Sequence, residues 1–228
     1  MAESKIMADC IIVGGGLIGM LCARELKKSG FDVLLFDKGE LGGESSWAGG
    51  GILLPLLPWQ YPDEVNELAR VGHQIYPQIA QALFEESGVD PEYIRSGLLV
   101  LDSKDQEKAA AWANKFSMDL SVLSGAKNLQ GIVSGLNSKF EQGLWLPEVA
   151  QMRNPRLVKA ARESLRSLSI KYKENTRVDG LSVVDGQIKG VVVDGQSYHA
   201  ERVIIAGGAW SRELLKDSGD VPDISPVK

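Results

Sequence analysis

The sequence predicts an α/β fold built on a βαβ unit, and three observations predict it. An apolar run, Cys10 to Val13, leads into glycines at Gly14, Gly16 and Gly19. Leu17 to Lys28 then reads as a helix closed by Gly30. Phe31 to Phe36 is a second apolar run, ended by Asp37. Strand, tight turn, helix, strand and acid follow one another within 28 residues, the order of a Rossmann-like dinucleotide-binding unit.

Each part of that unit has a physical role. Gly14 permits the turn out of the strand, Gly16 lets a phosphate approach the backbone, and Gly19 lets the helix pack closely on the strand. The helix N-terminus offers unpaired N–H groups and the positive end of its dipole to a pyrophosphate. Asp37, 18 residues after Gly19, is spaced to accept hydrogen bonds from ribose hydroxyls, and its charge disfavours a 2′-phosphate. The motif leaves FAD and NAD both open.

Lys38 to Ile52 is a loop with five glycines between Gly42 and Gly51, a length and composition that point to a ligand. Ser45 and Ser46 carry hydroxyls that can donate to phosphate. Asp63 reads as the N-cap of a helix reaching toward Glu86, with Pro77 expected to kink or split it. Val65, Leu68, Val71, Ile75, Ile79 and Leu83 recur at helical spacing and are expected in the core. Glu85 and Glu86 read as a solvated helix end.

Gly97 to Leu101 predicts a strand, and Ser103-x-x-Gln106 a capping box for a helix to about Met118. Residues 119–139 show no clear period. Phe140 to Leu146 predicts a strand, and Asn154-Pro155 opens a helix to about Leu168. Ile170 to Tyr172 reads as a strand. Asp185-Gly186 and Asp194-Gly195 are hairpin signals and predict a three-stranded antiparallel meander over 178–199. Arg202 to Ala206 predicts a further buried strand ending in Gly207-Gly208, and Ser211 a cap for a short helix to Lys216.

Composition narrows the function classes. Hydrophobic residues make up 44% and charged residues 24%, enough apolar mass for a core. A net charge of −5 without a basic, aromatic-interleaved stripe argues against nucleic acid. No apolar stretch approaches the ~20 residues of a membrane span, and the N-terminus lacks a leader pattern, so a soluble cytoplasmic protein is expected. Cys10 and Cys22 read as reduced core residues. His73 and His199 lack neighbours at ligand spacing, so no metal site is expected.

Together the βαβ unit, Ser45-Ser46-x-Ala-Gly-Gly-Gly-Ile52, the meander, Val203-Ile-Ile-Ala-Gly-Gly-Ala-Trp-Ser211 and Ser225-Pro-Val-Lys228 resemble the FAD-dependent D-amino-acid oxidase family, in particular its glycine-oxidase branch of thiamine biosynthesis. The resemblance implies a Rossmann-like FAD-binding domain, with its crossover meander, from residues 1–80 and 151–219. It implies part of an α+β substrate domain at 81–150 and the start of a further segment at 220–228. It places Leu17 and Ile18 at the pyrophosphate turn, Asp37 and Lys38 at the adenosine ribose, and Ser45 and Ser46 at phosphate or ribitol. Gly50, Gly51 and Ile52 would run past the isoalloxazine, Val178 would meet the adenine through its backbone, and Gly207 would close over the cofactor. Where such families often carry an arginine beside the glycine pair, Glu44 stands.

The implied reaction is oxidation of glycine or a small amino acid or amine by hydride transfer to flavin, followed by imine hydrolysis. O₂ is the electron acceptor and leaves as peroxide. No catalytic side chain is visible. Family members continue for over a hundred residues beyond Pro-Val-Lys, so the chain reads as an N-terminal part. A homo-oligomer, or a complementing C-terminal chain, is expected to cover its apolar surface. The alternatives are a non-catalytic FAD-binding fragment, a sarcosine-type oxidase or D-amino-acid dehydrogenase, and NAD binding without flavin.

Overall fold

A computed structural model describes residues 8–216, 221 and 223–226. The elements in chain order are β1 (Ala8–Val13), α1 (Leu17–Lys28), β2 (Val33–Phe36), α2 (Ser45–Ala48), α3 (Asp63–Ser87), β3 (Leu98–Leu101), α4 (Gln106–Phe116), β4 (Ser121–Ser124) and α5 (Ala126–Ile132). There follow β5 (Gln142–Leu146), α6 (Asn154–Ser167), β6 (Lys171–Lys173), β7 (Gly180–Val184), β8 (Gln187–Val193), β9 (Gln196–Ile205) and α7 (Ser211–Leu215). Short 3-10 turns stand at Pro58–Gln60 and Gly208–Trp210.

The chain divides into two compact units, residues 1–49, 83–89 and 154–228 in one, and 50–82 and 90–153 in the other. Residues 50–80, grouped with the dinucleotide-binding part by sequence, thus fall wholly in the second unit. Of the segment 220–228, residues 220, 222, 227 and 228 lie outside the described residues.

The first unit is a six-stranded sheet in the order β6-β2-β1-β9-β8-β7. β6, β2, β1 and β9 run parallel, with Cys10 opposite Val33 and Val13 opposite both Phe36 and Ile205. Such parallel strands are covered on both faces, which is why β1 and β2 are continuous apolar runs rather than alternating ones. Ile11, Ile12, Leu35 and Phe36 are fully buried.

The meander forms, but one expectation about it fails. Its third strand and the run Arg202 to Ala206 are not separate elements: β9 is continuous over ten residues. Its first half pairs antiparallel with β8, Gln196 opposite Val193 and His199 opposite Gly190. From Ala200 onward it pairs in parallel with β1. The two hairpin turns behave as their residues require, since Asp185, Gly186, Asp194 and Gly195 all take positive φ.

In the second unit, β3, β5 and β4 form an antiparallel sheet over a core of Trp112, Phe116, Leu144, Leu146 and Val149. β4 and α5 occupy part of the stretch without a sequence period. β4 is a mostly exposed edge strand of Ser, Val, Leu and Ser, so burial imposes no alternation on it.

Helix α3 corrects three expectations. It is not split at Pro77, since one helix runs from Asp63 to Ser87. The stripe Val65, Leu68, Val71 and Ile75 is exposed, Leu68 to 76%, although Leu83 is fully buried. The inward stripe is Asn66, Ala69, His73, Tyr76, Ala80 and Leu83, spaced alternately by three and four residues. Asn66 sets this orientation. Its amide donates to the carbonyls of Pro58 and Tyr61, and its Oδ1 accepts from Trp112 Nε1 at 3.0 Å. A buried amide satisfied on both sides outweighs exposed methyl groups, because leaving it unpaired costs about 1–3 kcal/mol.

The third correction concerns the end of α3. Glu86 is not solvated: Arg24 donates to it twice, at 2.6 and 2.5 Å, and Ser164 Oγ donates at 2.6 Å. Arg24 itself is 3% exposed and also contacts Glu25.

Capping differs from the sequence pattern as well. Ser103 Oγ accepts from the Asp105 N–H, and Asp105, not Ser103, precedes α4. Trp210, not Ser211, is the residue before α7.

Candidate cofactor site

The carboxyl ends of β1, β2 and β9 converge at one edge of the first unit's sheet. The Gly14 N–H donates to the Phe36 carbonyl at 2.8 Å, and the Ala206 N–H donates to the Val13 carbonyl at 2.7 Å. The chain leaves β1 there through Gly14 at φ 111°. A Cβ on Gly14 would collide with the Ala206 carbonyl, and one on Gly19 with the Gly14 carbonyl oxygen. Both glycines therefore serve the close approach of strand to strand and of helix to turn. A cleft outside the carboxyl ends of parallel strands, where neighbours diverge to either side, is where open α/β sheets take ligands.

Such a cavity is present, with a volume of about 450 Å³, within the ~300–1,000 Å³ of ligand pockets. Gly14, Gly16, Leu17, Ile18, Asp37, Lys38, Ser45, Ser46, Val178 and Gly207 all line it. Gly19 does not line it and acts in packing. Gly50, Gly51 and Ile52 belong to the second unit. There the Gly51 carbonyl accepts from the Met152 N–H at 2.9 Å, and Ile52 forms a β-bridge with Gln151.

The α1 N-terminus opens onto this cavity through Gly16 and Leu17. Ser46 reaches it from the glycine-rich loop: the Leu17 N–H donates to Ser46 Oγ at 2.9 Å. A helix leaves its first four N–H groups without intrahelical partners, and a hydroxyl 29 residues away satisfies one of them. Asn154 Nδ2 in turn donates to the Ser46 carbonyl at 3.0 Å, which ties the loop to the start of α6. A Cβ on Gly16 would stand 3.2 Å from Ser46 Oγ.

Asp37 has a second role that its spacing does not reveal. The Gly15 N–H donates to Oδ2 at 2.6 Å and the Gly39 N–H donates to Oδ1 at 2.7 Å. Its carboxylate clamps the turn that it faces. Each oxygen keeps a further lone pair for a hydroxyl donor.

Several contacts in the lining escaped the sequence reading. Lys38 Nζ lies 3.2 Å from Glu44 Oε1 and 3.4 Å from the centroid of the Trp210 ring. Arg177 Nη2 lies 2.7 Å from Glu213 Oε1. Trp210 follows Gly207-Gly208-Ala209 directly, and that position after a buried strand is the one signal that could have singled it out. Among the described residues no cluster of three or more His, Cys, Asp or Glu could hold a metal, and no helix is long and apolar enough to cross a membrane.

The donor set fits a dinucleotide. Gly16 leaves open the path to the helix N-terminus, hydroxyls flank that path, and a carboxylate stands beyond the second strand. Residues 9–228 match the family described as FAD dependent oxidoreductase, DAO. Glycine oxidase of Pseudomonas aeruginosa is 39% identical over 219 residues, which are 96% of this chain and 60% of that protein. The bifunctional protein ThiO/ThiG of Trichormus variabilis is 28% identical, over 91% of this chain and 32% of its own. The crystal structure of glycine oxidase from Bacillus cereus superposes with a TM-score of 0.81 at 28% identity, covering 92% of this chain and 57% of that one. The chain thus spans about 60% of the length of the Pseudomonas aeruginosa relative.

Proposed function

The chain belongs to the FAD dependent oxidoreductase family, DAO, and on that premise we propose that it is the FAD-holding part of an enzyme oxidising glycine or another small amino acid or amine. The observation that carries this reading is the cavity at the carboxyl ends of β1 and β9, into which α1 presents its N-terminus. The identity to glycine oxidases and to a ThiO/ThiG protein supports the substrate class and a place in thiamine biosynthesis.

In this reading the first turn of α1 and the hydroxyls of Ser45 and Ser46 hold the pyrophosphate. Asp37 accepts from the adenosine ribose while still gripping Gly15 and Gly39. Val178, 5% exposed, offers its backbone to the adenine. Gly207 leaves room above the cofactor. Lys38 supplies positive charge beside the ribose. When bound, FAD supplies the acceptor for hydride from the amine α-carbon and returns electrons to O₂. The residues in the cavity position and neutralise; none of them is assigned a proton transfer.

The test is spectroscopic. Purified protein should carry flavin absorbance, which glycine should bleach under anaerobic conditions and air should restore with release of peroxide. Bleaching by sarcosine or a D-amino acid in preference to glycine would reassign the substrate. Binding of NAD with no flavin retained would defeat the reading.

A further inference from the structure

The cavity carries its own anion at the place where it must take one. Carboxylates outnumber cations in its wall, and two of its cations are already paired, Lys38 with Glu44 and Arg177 with Glu213. The first pair matters most for a pyrophosphate. Glu44 stands two residues before Ser46, whose hydroxyl is bonded to the first N–H of α1. Lys38 extends from the segment beyond Asp37, and its ammonium sits between the Glu44 carboxylate at 3.2 Å and the Trp210 face at 3.4 Å.

We propose that Glu44 is a built-in competitor for the cofactor's pyrophosphate, and that Lys38, resting on Trp210, exchanges Glu44 for phosphate when the dinucleotide enters. The inference rests on the FAD reading of this cavity and adds how its affinity is set. Three features point the same way. Glu44 occupies the ammonium that would otherwise meet an incoming anion. Its own charge repels that anion near the helix N-terminus, where negative charge is otherwise favoured. Trp210 gives Lys38 a support independent of either anion, since a ring face attracts an ammonium within ~6 Å, so the cation need not move far to change partners. Both members of the ion pair are about half exposed, at 41% and 54%, so the exchange is accessible from solvent. Exposed pairs of this kind contribute little to stability, which leaves Glu44 free to act on binding without holding the fold.

The test is a titration of the flavin-stripped protein with FAD, ADP and adenosine, in the wild type and in Glu44→Gln, Lys38→Met and the double variant. Melting curves serve as the control for folding. Glu44→Gln should tighten FAD and ADP by about three- to tenfold at low salt, a gain that shrinks as salt screens the charges. Adenosine, which lacks the pyrophosphate, should bind unchanged. In the Lys38→Met background the gain should shrink to the part due to Glu44's direct repulsion. Equal or weaker FAD binding by Glu44→Gln overturns the proposal alone, as does an equal gain for adenosine or a gain undiminished in Lys38→Met. Failure of wild type and variants alike to bind FAD overturns both the proposal and the reading of the site on which it rests.

Discussion

The Gly15 N–H donates to Asp37 Oδ2 across 2.6 Å, so the acid at the end of β2 is tied to the glycine turn at the end of β1. The Gly39 N–H holds the other oxygen. An aspartate spaced for a ribose is therefore also part of the glycine turn proposed to hold the phosphate. Asp37→Ala should weaken FAD by about 1–3 kcal/mol, the cost of leaving polar partners unsatisfied, and should lower the melting temperature even without cofactor. A loss of affinity with an unchanged apo melting curve would mean that Asp37 acts on the ribose alone.

Gly16 and Gly19 should separate ligand from fold. A side chain at Gly16 meets Ser46 Oγ at 3.2 Å and enters the path proposed for the phosphate, so Gly16→Val should abolish flavin retention in a folded protein. A methyl at Gly19 runs into the Gly14 carbonyl, so Gly19→Ala should reduce soluble yield and melting temperature before any effect on affinity is measurable. Flavin content and circular dichroism of the two variants check this.

Ser46→Ala removes the acceptor from the Leu17 N–H. Loss of a capping hydroxyl costs about 1 kcal/mol, and the same change deletes a hydroxyl proposed for the phosphate. Denaturant unfolding with and without FAD should show a larger deficit for the loaded protein.

Helix α3 offers a test within one element. Leu68 is 76% exposed and Leu83 fully buried. Leu68→Ala should change stability by no more than about 0.5 kcal/mol, whereas Leu83→Ala should cost about 2–5 kcal/mol. Equal effects in denaturant titrations would return Leu68 to the core.

Glu86 should govern part of the acid limb of stability. Burial pushes its carboxyl pKa up, but the hydrogen bonds from Arg24 and Ser164 and the charges of Arg24 and Lys28 together hold it below the ordinary carboxylate value. A folded pKa below the unfolded one stabilises above the unfolded value of about 4.3 and is lost as pH falls through the folded value. Glu86→Ala leaves Arg24 buried without its main partner and should cost about 3 kcal/mol at neutral pH. Unfolding measured from pH 7 to pH 3 should show a flatter acid limb in the variant.

How much was legible follows from how far apart the interacting residues stand. The βαβ unit was legible because its signals are local: an apolar run, glycines at fixed offsets, helical spacing and a closing acid. The positive-φ Asp-Gly turns were legible for the same reason. Most of the residues proposed for the cofactor do line one cavity, since a turn, a strand end and a loop start are local features too. The stripe on α3 misled because apolar spacing cannot weigh one buried amide, Asn66, against four exposed aliphatic side chains.

The residues alone determined which segments are helix, strand and turn around Gly14 to Asp37, since backbone sterics and periodicity act over a few positions. Only the tertiary structure decided who meets whom across the chain. It made β9 one strand, antiparallel to β8 and then parallel to β1. It brought Ser46 to the head of α1, Lys38 between Glu44 and Trp210, and Arg24 to Glu86. The physical reason is that such pairings are selected by simultaneous burial and hydrogen-bond satisfaction across the packed chain, whereas periodicity records only neighbours along one element.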